Sequence, residues 1–130
     1  MKVRLIALSA VLGAALFHAA PALSHHSNVA FEVTKIITVT GVVKEFRWVN
    51  PHTWLVLTVD DGKGGKAEWA CEGRAPSVLA RAGWSKSSLR PGDTVTVDMS
   101  PAKDGTNTSL VARVTKADGT ILPNAPPPTD

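Results

Sequence analysis

Three of the four histidines and a cluster of tryptophans carry the chemistry this chain can offer. His25 and His26 are adjacent, and His52 lies in an Asn50-Pro51-His52-Thr53 run. An imidazole next to a free α-amino group is a chelate. A chain beginning at His25 offers its amino nitrogen and a His25 ring nitrogen to one Cu(II) as a two-point brace, and His26 can chelate through the amide between them. A chain beginning at Leu23 puts His25 third. The amine, two ionised amides and the imidazole then make four nitrogens in a square plane, a geometry that suits Cu(II) or Ni(II). Both starts give a copper-competent terminus, and His52 adds a ligand if the leader folds back over its loop. The competing reading is structural, with His25-His26-Ser27 as a processing leader and His52 as a turn cap.

A free amine at either position requires an upstream cut, and the sequence provides for one. Lys2 and Arg4 form a positive start, Leu5 to Phe17 is uncharged and apolar, and small residues follow. This is the pattern of a secretory signal over residues 1–24. The apolar run is shorter than the roughly 20 residues of a membrane span, so no span is expected after cleavage. Removing residues 1–24 takes two basic side chains and no acid, so the net charge falls from +3 to +1. A near-neutral exported domain is a poor nucleic-acid binder, which needs a basic groove with stacking aromatics. Cys71 is the only cysteine, so the fold must stand on its core, and the remaining residues suffice for one. Alternation puts Cys71 on the strand face of Trp69, as a small buried apolar residue.

Trp48 and Trp54 flank the Asn50-Pro51-His52 turn and could wall a shallow ligand patch with Asn50; core packing is the competing reading. Catalytic arrangements are poor. Glu68 and Glu72 share a strand face, but a four-residue separation is roughly 13 Å, too far for paired carboxylate work. There is no G-x-S-x-G elbow and no phosphate loop. The expectation is a binding protein and not an enzyme.

These residues need a scaffold, and the pattern predicts a β-barrel. Residues 36–49 read as a long strand whose apolar register shifts, implying a bulge near Lys44 and Glu45. Thr53 to Asp60 and Lys66 to Glu72 form a hairpin across Asp60 to Gly65. Ala75 to Ala82 is a short helix with Pro76 at its start and Gly83 past its end. Ser85 to Leu89 reads as one helical turn. Val95, Val97 and Met99 face inward on a fourth strand, and Leu110, Ala112 and Val114 on a fifth. A turn at Asp118-Gly119 precedes Thr120-Ile121-Leu122. Three strands, a helix and two strands match a small OB-like five-stranded β-barrel, all-β with one short helix, over residues 25–122. An up-and-down barrel or sandwich is the alternative. Residues 25–35 read as a loose leader and 123–130 as a proline-rich, disordered tail.

One resemblance joins these motifs. The His25-His26-Ser27 start, Trp48-Val49-Asn50-Pro51-His52 with Trp54, Gly83-Trp84, Leu89-Arg90-Pro91-Gly92-Asp93 and Ala102-Lys103-Asp104-Gly105 resemble a bacterial family of small exported domains of unknown function. The resemblance implies a periplasmic protein and favours cleavage directly before His25, although Ser24 stands where members more often carry alanine. The combined expectation is a monomeric periplasmic barrel that binds copper through His25, His26 and His52. The alternative is a protein-interaction or small-ligand module using Trp48, Asn50 and Trp54, with a periplasmic partner the sequence does not identify.

Overall fold

The computed structural model describes residues 27–125. Residues 1–26, which include the expected signal segment, His25 and His26, and the last five residues lie outside the described residues. Six strands and two short helices run in the order α1 (Ser27–Ala30), β1 (Ile37–Arg47), β2 (Trp54–Asp60), β3 (Lys66–Glu72), α2 (Pro76–Arg81), β4 (Thr94–Pro101), β5 (Thr108–Lys116) and β6 (Ile121–Pro123). The sheet order is β3-β2-β1-β4-β5-β6, and a parallel β3–β5 pairing closes the first five strands into a barrel. This is the expected OB-like closure, with β6 added along β5.

Strong coiling of a small barrel requires bulges, and both long strands have one. In β1 the register slips between Val43 and Glu45. Val43 therefore faces the core, and Phe46, three residues on, packs against the core as well. A second slip lies opposite Asp98 and Met99, where Met99 pairs with Val111 and Asp98 with Arg113, leaving Ala112 as the extra residue. This slip corrects the inner face expected for β5. The buried positions are Ser109, Val111 and Val114; Ala112 is exposed and Leu110 half-buried. Simple alternation fails there because one inserted residue reverses every side chain before it.

The core is centred on Leu57, Cys71, Val97, Met99 and Val114, all without solvent exposure. Helix α2 caps it through Leu79. Past its end, Gly83 takes φ +92°, Gly83 N–H donates to Ala80 O, and Trp84 N–H donates to Leu79 O. Those two bonds form a Schellman close, and they deliver Trp84 into the core beside Leu79. Ser85 to Leu89 forms a single turn, closed by Ser88 N–H donating to Ser85 O at 3.0 Å, and does not continue as a helix.

The leader is not loose where it is described. Phe31 is buried and bridges Ala102, Glu32 N–H donates to Pro101 O, and Lys103 N–H donates to Ala30 O. One aromatic side chain thus docks the leader at the end of β4. At the other terminus, β6 carries the fold through Pro123, past the Leu122 boundary read from the sequence.

Two positions give stability predictions. A Cβ on Gly41 would lie 2.8 Å from Thr58 O and 2.9 Å from Val59 Cγ2. The oxygen belongs to the β1–β2 ladder and cannot swing aside. Gly41→Ala should therefore cost about 1–3 kcal/mol, as overpacking does, measured by denaturant unfolding. Asp98 links three strands: Thr38 Oγ1 donates to it at 2.7 Å, and Arg113 Nε donates at 2.9 Å. The Thr38 hydrogen bond first, and Arg113 next, hold its carboxyl below its ordinary value of 3.8. A depressed folded pKa stabilises above the unfolded value, and the contribution fades as pH falls through the folded one. Asp98→Asn should lower the unfolding midpoint at pH 7, and its deficit should shrink below about pH 4, where the unfolded carboxyl protonates.

Candidate functional site

The loop joining β1 to β2 is fixed by the segment after β3. Thr53 N–H donates to Arg74 O at 3.2 Å, Gly73 N–H returns to Thr53 O at 2.9 Å, and Thr53 Oγ1 also donates to Arg74 O at 3.0 Å. The Asn50–Pro51 peptide is cis. Pinning Thr53 against Gly73 and Arg74 sets the preceding residues side by side. His52 Nδ1 lies 2.6 Å from Glu72 Oε1.

This contact sets the chemistry of His52. Glu72 is 8% exposed, and a carboxylate set this close to an imidazole nitrogen holds the ring in one orientation. A proton on Nδ1, facing Glu72, would leave Nε2 with the lone pair a metal needs. This is the arrangement by which carboxylates orient metal-binding histidines and raise their basicity. The His52 side chain keeps 30% of its surface exposed, so the ring is both held and reachable.

The two tryptophans flanking the loop do not meet. Trp48 packs against the core and stands edge-on to Phe46, with ring centroids 5.9 Å apart. Trp54 pairs with Arg47 and Glu72 and so belongs to the outer face. There it lines a groove of about 320 Å³ with Lys44, Glu45, Arg47, Glu68 and Asn107. Lys44 pairs with Glu68, and Arg47 pairs with Glu45 at 2.8 Å, so the groove charges cancel. A surface balanced in this way lacks the excess cation a polyphosphate requires. Asn50 is exposed at the loop.

A family comparison spans these features. The family of unknown function DUF6152 matches residues 14–112. The chain belongs to that family. The match runs from the apolar leader to Ala112 and takes in the histidine pair, the loop bearing His52, and Glu72. No curated protein and no solved structure matches the chain.

In this DUF6152 member, the partner of His52 escaped the sequence reading, which treated Glu72 only as one of two distant carboxylates. Glu68 and Glu72 in fact have separate partners, Lys44 and His52. A signal for Glu72 was available. Counting outward from the Asp60–Lys66 pair that closes the hairpin reaches Trp54 opposite Glu72, which puts His52 at the same end of the sheet. Among the described residues, no group of three or more His, Cys, Asp or Glu is placed to hold a metal, so His52 and Glu72 form a pair that other ligands would have to complete. Cys71 is no candidate. It is fully buried, and burial pushes its thiol up to about 11, which removes the thiolate a metal or electrophile needs. No described helix is long and apolar enough to cross a membrane.

Proposed function

We propose that this chain is an exported, periplasmic copper-binding domain and not an enzyme. His52 supplies one ligand through Nε2, and the mature terminus supplies the others: the α-amine and imidazole of His25, with His26 assisting. The observation that carries this reading is the 2.6 Å contact between His52 Nδ1 and the buried Glu72 carboxylate. A histidine that merely caps a turn has no need of a buried carboxylate, whereas a metal-binding one gains a fixed orientation from it. The leader also supports the reading, since Phe31 ties it to the barrel six residues after His25. An ordered leader loses less entropy when its terminus coordinates a metal.

The test is a Cu(II) titration of the processed protein, its start at His25 first checked by mass spectrometry. Submicromolar affinity that is lost in a His25→Ala, His52→Ala double variant supports the proposal. Micromolar or weaker affinity, or an unchanged double variant, refutes it. A second reading rests on Trp54, which lines the charge-balanced outer groove. As a small-ligand or partner module, the domain would show a Trp54-dependent fluorescence change that survives chelation of all metal.

A further inference from the structure

A separate groove of about 460 Å³ runs between the leader, β5 and β6. Its apolar walls include Val33, Ile36, Leu110 and Pro123. Val33 is 49% exposed and Ile36 55% exposed, so a docked leader presents apolar side chains to solvent where polar ones would cost nothing. Val33 and Ile36 share one groove with Leu110 and Pro123, so these apolar side chains are gathered and not scattered. The polar groups are few. Arg74, Ser100 and Asn124 line the groove, and Asn124 Oδ1 accepts from Arg74 N–H at 3.4 Å, joining the β6 end to the β3 end. No carboxylate lines the groove. Among the described residues, the Arg74 guanidinium forms no salt bridge to an acidic partner, as is also true of Lys63, Arg81, Lys86, Arg90, Lys103 and Lys116, but Arg74 is the basic residue that lines this groove.

We propose that this groove binds an anionic amphiphile, a single acyl chain ending in a carboxylate. The volume is that of a small-molecule site, and such sites are mostly apolar with a few fixed polar groups. Burying the acyl chain on the apolar walls supplies the driving force. A free guanidinium takes a carboxylate through two parallel hydrogen bonds, which selects the head group. A neutral head gains nothing from Arg74, and a cation is repelled by it.

Calorimetric titration of the processed chain with dodecanoate, below its micelle concentration and with EDTA present, tests this independently of the copper reading. Saturable single-site binding is expected. Arg74→Gln should weaken dodecanoate at least about tenfold, the scale of one charge-assisted pair, and leave dodecyl maltoside binding unchanged. Ile36→Asp should abolish binding of both. Both substitutions are at exposed positions, so unchanged thermal unfolding will confirm that the barrel persists. The proposal is overturned by absence of saturable binding, or by equal affinity in Arg74→Gln. It is also overturned if uptake occurs only after deletion of residues 126–130, which would assign the groove to the chain's own tail, or if Ile36 serves only to pair two copies.

Discussion

Replacing Glu72 with glutamine is expected to weaken Cu(II) binding by the processed protein about ten- to a hundredfold, the usual effect of removing a carboxylate behind a metal-binding histidine. Glutamine keeps the shape and can still bond the ring, but it removes the negative charge set behind His52. His52→Ala removes the ligand itself and should weaken binding by at least as much. The informative comparison is the double variant. Glu72 acts on copper through His52, so the two effects should not add, and the double variant should bind about as weakly as His52→Ala alone. Additive losses would mean that Glu72 meets the metal directly. Unchanged affinity in Glu72→Gln would reduce the 2.6 Å contact to a structural bond. Thermal unfolding of each metal-free variant separates the two roles, since a purely structural pair lowers the midpoint and leaves copper affinity intact.

Trp84 gives the largest expected effect on stability. It is 5% exposed, packs against Phe46 with ring centroids 5.9 Å apart, and its Nε1–H donates to Pro123 O at 2.8 Å. One side chain therefore ties the end of α2, the bulged half of β1 and the last strand together. Trp84→Ala should cost about 3–5 kcal/mol by lost burial and the cavity left behind, a large share of the total for a domain this size. Trp84→Phe retains most of the apolar area but leaves the Pro123 carbonyl unpartnered. Its cost should be nearer 1–2 kcal/mol, on the scale of one hydrogen bond and its desolvation. Denaturant unfolding at constant m-value reads both. A cost for Trp84→Ala under about 1 kcal/mol would show that β6 and Phe46 do not depend on this contact.

The barrel was largely readable from residue pattern because its strands are bounded by strong local signals. Pro51, the Asp60–Gly65 turn, Pro76 with Gly83, and Arg90-Pro91-Gly92-Asp93 punctuate the chain where the elements change. The β1 bulge was visible as a shift of apolar register, since Val43 and Phe46 cannot both face inward on a regular strand. The β5 bulge was not. Leu110, Ala112 and Val114 alternate well enough to suggest a regular strand, and only pairing with β4 shows that Ala112 is the residue left over. The candidate site divides along the same line. His52 stood out by residue type. Glu72 did not, because its role comes from the cross-strand register and from the Thr53–Arg74 clasp, which are tertiary facts. Trp48 and Trp54 looked equivalent around one loop, yet their separation in the chain puts one against the core and the other on the outer face. Phe31 was read as part of a loose leader because a lone aromatic in a polar stretch gives no periodicity to follow.

The copper account depends most on the free amine at His25, and an electron paramagnetic resonance spectrum of the protein with one equivalent of Cu(II) tests it most directly. The spectrum should be taken on processed protein starting at His25 and on the same chain carrying one extra N-terminal residue. A single nitrogen-rich axial Cu(II) signal is expected in the first, altered by His52→Ala, and its loss or replacement in the second, where the amine no longer neighbours that imidazole. Identical spectra from the two chains, indifferent to His52, would contradict it.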